Sequence, residues 1–467
     1  MSESTTTQSI SQVFAQFARD FTHDSIPETV RTRATHLILD AVGIAHAASG
    51  YEFAHRALTA LQAFGSGDAD VIGMPAKLSL RDAALMNGIL VHGIDFDDTY
   101  LPGGIHATAS CFPCALGMAA HLGLSGRDLI TGYVLGMEIA TRLSAVAKGE
   151  LHQVGFHPTG LIAAFGCAVM TGRLVGMTAD QITMAQGITS STASGSSREY
   201  SEETAWNKRV HPGWAAVSGI TAAMLARQGF TGPTRVYEGK YGLFPSHAAD
   251  RLARCDYSLA TRDLGRVWEI DRVAVKPVPV GQLGIALVDA AVALSREHRI
   301  APADVASMLV LIPKEAVPIM WEPIAKRRRP PNGYAAQFSI PYTVAASFVR
   351  GRFGLAELSA SSIADAEILA LADKMEYAVD PDSPYPKYYS GELIVTTRDG
   401  RKLRHREHVN RGAEDKPVTN DEIVEKFMGN VETVASPAHA DRIRELILGL
   451  DGHVAAREVA RALSQPH

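Results

Sequence analysis

Residues 155–172 read GFHPTGLIAAFGCAVMTG, an apolar run dense in Gly and Ala with His157 and Pro158 at its head. It falls short of the roughly 20 strongly apolar residues needed to span a bilayer, and a buried helix explains it better. Leu161–Val169 within it and Ala215–Ala226 further on share the same small-residue character. Small side chains let helix axes approach closely, so these stretches predict a compact bundle rather than an open solenoid. No internal repeat of fixed period supports a solenoid either.

Outward from that core, helical periodicity runs from about residue 8 to 265. Ala34, Leu37, Ile38, Ala41, Val42 and Ala45 fall at three- and four-residue steps and lay one apolar stripe on a helix. Ser25-Ile-Pro-Glu28 and Thr178-Ala-Asp-Gln181 fit the capping-box start signal, and Ser79-Leu-Arg-Asp82 is a weaker version of it. The pattern changes near residue 266. Val305–Ile312 is short and rich in β-branched residues, and Gly391–Arg401 alternates Leu393, Val395 and Thr397 before the hairpin dipeptide Asp399-Gly400. Helical stretches at Val280–Glu297 and Tyr342–Arg350 lie between these strands, and helical signals resume from Thr419.

The predicted fold is mostly α, with a large all-helical domain from residues 1–265 plus 405–467 and a smaller α+β domain at 266–404. A small domain inserted in a large one suits a lid, with a ligand cleft expected between the two.

Composition narrows the function. The chain has 467 residues, 46% hydrophobic and 20% charged, an ordinary globular balance with material for a core. A net charge of -5 gives no basic field for nucleic acid or an anionic membrane surface, so neither partner is expected. Four cysteines are too few for a secreted disulfide scaffold, and MSESTTTQSISQVFAQF lacks a signal peptide's basic start and apolar run. A cytoplasmic protein is expected.

Four clusters are rich in chemistry. In the first, His92-Gly-Ile-Asp95-Phe-Asp97-Asp98-Thr99 precedes Pro102-Gly-Gly-Ile-His106. Its carboxylates repel one another unless paired, protonated or metal-bound, and Asp95 and Thr99 would share a face at a helix end. The plainer alternative is a helix terminus with solvated acids and an exposed His106. The second cluster, Gly155-Phe-His157-Pro-Thr-Gly160, places a histidine just before a helix, either facing a cleft or satisfied at a turn.

The third, Trp206-Asn-Lys208-Arg209-Val-His211-Pro-Gly213-Trp214, sets two cations at a helix mouth, suited to an anionic ligand or simply a basic surface turn. The preceding Ser194-Gly-Ser-Ser-Arg198-Glu could approach a ligand but lacks the ending of a phosphate-binding loop. The fourth, Lys276-Pro-Val-Pro-Val-Gly281-Gln282, places a lysine, held by the two prolines after it, between a strand and a helix, or marks an exposed hinge. Cys111-Phe-Pro-Cys114 has no second cysteine pair and reads as helix packing, and Lys326-Arg-Arg-Arg329 as a solvated loop. Dinucleotide, GxSxG and HExxH signatures do not occur.

In this order and spacing, HGIDFDDTY, GFHPTG, NKRVHPGWAA, the Lys276 turn, QFSIPYTVA at Gln337–Ala345, and the late DGR and KPVTNDEIVEKF segments resemble the MmgE/PrpD family over about residues 10–430. The resemblance implies a large helical domain with an α+β lid, a homodimer, a small polycarboxylate substrate, and no iron–sulfur cluster, other cofactor or metal. Members include 2-methylcitrate dehydratase, cis-aconitate decarboxylase and iminodisuccinate epimerase. Carried over by motif, the catalytic residues are Asp95, His106, His157, Lys208 and Lys276, with Thr99, Arg209 and Gln282 binding substrate. The loop between Thr99 and His106 is one residue longer here than in the family pattern.

The chemistry of these residues agrees. Dehydration, epimerisation and decarboxylation of polycarboxylates all build negative charge beside a carboxylate, which Lys208, Lys276 and Arg209 are suited to hold. A histidine titrating near neutrality, His157 or His106, suits proton transfer, while Asp95 orients a neighbour or acts as base. The expected activity is a 2-methylcitrate dehydratase-like hydro-lyase working by α-proton abstraction and loss of water, with a dicarboxylate epimerase as the alternative. A cis-aconitate decarboxylase fits less well. In that pattern a histidine follows the turn lysine by five residues, where this chain has Gly281, and its lid tyrosine has no clear counterpart, although Tyr334 and Tyr342 lie nearby.

Overall fold

The computed structural model describes residues 8–195 and 205–464. Ser196, Ser197, Arg198 and Glu199 of the serine-rich segment lie outside the described residues. The chain forms two compact units. Unit 1 holds residues 1–93, 97–273 and 420–467, and unit 2 holds Ile94–Phe96 and Ala274–Thr419.

The first part of unit 1 is built on α1 (Ile10–Asp20), α2 (Glu28–Ser49), α3 (Leu80–Val91), α4 (Thr108–Leu122), α5 (Gly126–Val146), α6 (Pro158–Leu174), α7 (Ala179–Thr189) and α8 (Val210–Arg227). The GFHPTG stretch opens α6, whose residues from Pro158 to Gly172 are all buried. Its Gly and Ala content does what the sequence suggested: close helix approach. At the crossing of α3 and α8, a Cβ added to Gly88 would stand 2.4 Å from the Gly213 Cα, so neither position has room for a side chain.

Thr178 and Gln181 form a reciprocal capping box at the start of α7, and the Ser79 hydroxyl caps α3 through the Asp82 N–H. Ser25 does not cap α2. The helix starts at Glu28 after Pro27, while the Ser25 hydroxyl donates to the Thr22 carbonyl and closes a 3-10 turn. Proline supplies the helix start instead, since its ring presets a compatible φ and it has no N–H to satisfy.

One helix among the described residues, α5, is long and apolar enough to cross a membrane, and its 18-residue apolar stretch lies buried. Its interior carries the ion pair Glu138–Arg142 at 3.0 Å. The remaining hydrogen-bonding groups of that pair reach residues 262–270: Arg142 donates to the carbonyls of Arg262 and Val267, and Glu138 accepts from the Ile270 N–H. Residues 266–273 are thereby fixed within unit 1.

Unit 2 contains α9 (Ile285–His298), α10 (Ile340–Arg350) and α11 (Ala366–Asp373), with β1 (Val305–Ile312), β2 (Met375–Val379), β3 (Gly391–Thr397) and β4 (Lys402–Glu407). The strands form one sheet in the order β2-β1-β3-β4, with β1–β2 parallel and the other pairs antiparallel. Leu393, Val395 and Thr397 point inward on β3 as their alternation predicts, and Gly400 turns the hairpin at φ 88°. Leu393 and Val395 join Ile285, Val310, Met320, Tyr342 and Phe348 in one apolar core.

The 326–329 basic run is not a loose loop. Residues Ile324–Arg328 form a helical turn, Arg328 donates to the Met375 carbonyl, and Arg329 pairs with Asp373 at 2.6 Å. Unit 1 resumes with α12 (Asn420–Val431), α13 (Pro437–Leu448) and α14 (Ala456–Ser464). α12 packs on α2, where Lys426 meets the buried Asp40 at 2.7 Å.

Candidate active site

The acidic segment after α3 is not helical. α3 ends at Val91, Asp95 adopts a left-handed φ of 50°, and Thr99 sits in a two-residue strand, so Asp95 and Thr99 do not share a helix face. Nor are the acids solvated: Asp95, Asp97 and Asp98 are 4%, 1% and 2% exposed. Burial forces each acid to find its own solution.

Asp97 accepts from the His92 ring at 2.8 Å. Asp98 accepts from the Thr108 hydroxyl, yet burial, joined by the charges of Asp97 and Asp40, pushes its pKa up to about 8. Asp95 belongs to unit 2, where its carboxylate lies 3.4 Å from the Lys276 ammonium.

Unit 1 gathers a cluster of imidazoles. His106 is buried; its Nδ1–H donates to the Asp98 carbonyl at 2.7 Å, with the Thr99 hydroxyl at 3.2 Å and Asp97 at 3.8 Å. Its backbone N–H donates to Thr159, two residues beyond His157. His157 occupies the N-cap position of α6 and is fully buried, its ring stacked on His92 with centroids 5.6 Å apart. Its Nδ1 lies 2.9 Å from Nδ1 of His211, on the first turn of α8.

Glycine explains this approach. A Cβ on Gly160 would meet the Ser194 carbonyl at 2.4 Å and the His211 Cβ at 3.0 Å. Only glycine at the second G of GFHPTG lets α6 and α8 bring their histidines together.

Lys208, on the 3-10 turn Asn207–Arg209, is half-buried, and its charge reaches both rings. Burial first, then Lys208 and the neighbouring imidazoles, drive His157 well below the ordinary histidine range. Burial, with the His92 and Lys208 electrostatics, holds His211 at about 4. Both rings are therefore neutral at physiological pH, and the ring that donates its Nδ1–H across the pair keeps a lone pair on Nε2 to accept a proton. Arg209 donates to the Gly93 carbonyl at 2.6 Å, and its guanidinium stacks 4.5 Å over Phe53.

Unit 2 gathers the second set. Lys276 is 2% exposed, not a solvated hinge, and donates to the Asp95 carbonyl at 2.7 Å. Gln337 fixes the same segment by donating to the Ile94 carbonyl at 2.7 Å. Gln282 begins a 3-10 turn and is half-buried.

Of the residues named from the sequence, Thr99, His106, His157 and Lys208 thus lie in unit 1 and Asp95 and Lys276 in unit 2, whereas the sequence had spread them over four separate clusters with Asp95 beside Thr99 and His106. Sequence reasoning named His92 and His211 within motifs without assigning them to the site, and it missed Thr108, Thr159 and the role of Gln337. His92 carried a usable signal, since it lies five residues before its carboxylate partner; the Thr108, Thr159 and Gln337 contacts carried none. A ligand nitrogen from each of His92, His106 and His157 lies within 4.8 Å of the other two, a group with the donors for a metal ion.

Comparison with known proteins follows this geometry. The MmgE/PrpD N-terminal domain matches residues 12–254 and the MmgE/PrpD C-terminal domain matches residues 279–452. The chain is 26% identical to the cis-aconitate decarboxylase of Homo sapiens over 95% of its length and 92% of the relative's. It is 24% identical to that of Mus musculus, covering 91% and 87%, and 24% identical to a cis-aconitate decarboxylase-like protein of Aspergillus oryzae, covering 99% of both. Decarboxylases of this kind are lyases, so a dehydratase- or decarboxylase-like role is supported at the level of the family. With both of its domain models matched across most of the sequence, this chain belongs to the MmgE/PrpD family.

Proposed function

We propose that the protein is a 2-methylcitrate dehydratase-like hydro-lyase that removes an α-proton and water from a small hydroxy-polycarboxylate without a cofactor. The observation that carries this reading is the neutral, buried His157 paired with His211 inside the field of Lys208. A neutral imidazole accepts the α-proton, and the lysine offsets the charge that develops next to the substrate carboxylate. His106, with Nδ1–H fixed on the Asp98 carbonyl, acts in its doubly protonated form and gives its Nε2 proton to the departing hydroxide, which leaves as water; the proton that His157 took passes to solvent and His106 is reprotonated from it. Thr99, against the His106 ring, binds a substrate oxygen, and within unit 2 Asp95 orients Lys276.

A decarboxylase is the second reading, favoured by the names of the relatives. Two details weigh against it. A Cβ at Gly281 would stand 3.2 Å from both Met320 Sδ and Phe338 Cδ1, so a histidine there requires both side chains to shift. Tyr342 is a core residue whose hydroxyl donates to the Glu357 carbonyl, so it does not replace the lid tyrosine. An epimerase starts with the same proton abstraction and is the third reading.

Proton NMR in D₂O with 2-methylcitrate, citrate, cis-aconitate and iminodisuccinate separates the three. New vinyl signals from a hydroxy acid support the hydro-lyase, loss of CO₂ from cis-aconitate the decarboxylase, and deuterium at the α position without elimination the epimerase. Intact turnover by Lys208→Ala would remove the carboxylate clamp from the mechanism.

Four free cysteines suit the reducing cytoplasm we infer for the protein. The homodimer proposed from the family has a suitable surface on α8, where Val210, Trp214, Met224 and Leu225 form an exposed apolar stripe.

A further inference from the structure

We propose that His92, His106 and His157 form a binding site for one divalent transition cation of the zinc class, and that an ion held there inhibits the enzyme by occupying His106 and His157. The inhibitory half rests on the proposed function; the binding half rests on the geometry alone.

The three rings supply one ligand nitrogen each within 4.8 Å of one another, and all three residues are buried. Each ring has a partner at Nδ1, which leaves Nε2 to face an ion. His92 Nδ1 donates to the Asp97 carboxylate at 2.8 Å, His106 Nδ1 to the Asp98 carbonyl at 2.7 Å, and His157 Nδ1 pairs with His211 at 2.9 Å. A metal-bound histidine characteristically has its second nitrogen held by a carboxylate or carbonyl, which fixes the tautomer and turns the lone pair toward the ion. His92 Nε2 is fully buried and has no hydrogen-bond partner among the described residues, a costly arrangement that a bound cation relieves.

Three imidazoles select zinc, cobalt, nickel or copper over magnesium or calcium, which prefer oxygen ligands, and they leave a fourth position open. Asp97 supplies compensating negative charge, while the Lys208 charge opposes the ion. That opposition makes the site one that fills when such a cation is available rather than a permanent centre.

The test uses the full-length chain stripped with chelator and titrated with Co²⁺, followed by visible absorption, with Zn²⁺ and Mg²⁺ as competitors. Expected are one tetrahedral Co²⁺ per chain, displacement by Zn²⁺ but not by Mg²⁺, and an affinity about 10–100-fold weaker in Asp97→Asn, the usual effect of losing an orienting partner. His92→Gln, which removes a ligand, weakens it further. If His92→Gln does not fold, Asp97→Asn, which keeps all three ligands, carries the comparison.

Absence of saturable binding, or parent-like affinity in the folded variants, overturns the site. Zn²⁺ should also inhibit turnover at the concentration that fills the site, and uninhibited turnover by zinc-loaded protein overturns the inhibitory half. If no acid is turned over, the proposed function fails while the cobalt titration still decides the site.

Discussion

Nδ1 of His157 lies 2.9 Å from Nδ1 of His211, so one imidazole must donate and the other accept, and a single proton fixes the tautomers of both rings. His211 is therefore a positioning residue for His157. Replacing His157 by Gln should lower kcat by about 10²–10⁴, the range for a group that transfers a proton. His211→Phe should cost less, about 10–100-fold, as for loss of an orienting partner, with KM little changed. Steady-state kinetics on the identified substrate checks both, and a His157→Gln enzyme as fast as the parent would remove that residue from the chemistry.

The pH profile follows from the depressed basicity of His157. Activity needs its neutral form, which persists below the ordinary histidine pKa of about 6.5 because burial and Lys208 disfavour the cation. The acid limb of kcat/KM should accordingly fall below pH 6.5. Lys208→Met removes a charge that disfavours protonation, so the limb of the residual activity should move upward. A limb that stays in place would show that the Lys208 charge does not act on the ionising group.

Asp98 makes stability pH-dependent in the opposite sense to a typical paired carboxylate. Its folded pKa of about 8 lies above the ordinary value of 3.8, so between those values the folded state holds a proton that the unfolded state releases. Its contribution is fully present below pH 3.8 and is lost as pH rises towards and through 8. His211 and His46, both held at about 4 against an ordinary 6.5, act the other way between those values. Asp98→Asn should shrink the stability loss between about pH 6.5 and 8, measured by urea unfolding. An unchanged slope would assign the loss to other groups.

Gly281→His tests the reading of the lysine turn. Met320 and Phe338 must move to admit the ring, so the variant should lose about 1–3 kcal/mol, as overpacked cores do, without gaining decarboxylation of cis-aconitate. Thermal unfolding and a CO₂-release assay read the two effects. A stable variant that releases CO₂ would make this single position the determinant of reaction type.

Local sequence determined much of this protein. The Gly- and Ala-rich runs predicted tightly crossing helices, because close approach depends on side-chain size alone. The alternation on Leu393, Val395 and Thr397 and the Asp399-Gly400 turn predicted their strand and hairpin, because both are properties of neighbouring residues. The motifs also carried the candidate residues, since His157, Lys208 and Lys276 sit within short recognisable segments.

What only the tertiary structure decided is which of these groups share an environment. Burial separated three neighbouring aspartates: Asp95 beside Lys276, Asp97 beside His92, and Asp98 with its pKa raised. It also set His211 against His157, 54 residues away in the chain. Desolvation and charge act through space, and a pattern of neighbours along the chain contains neither.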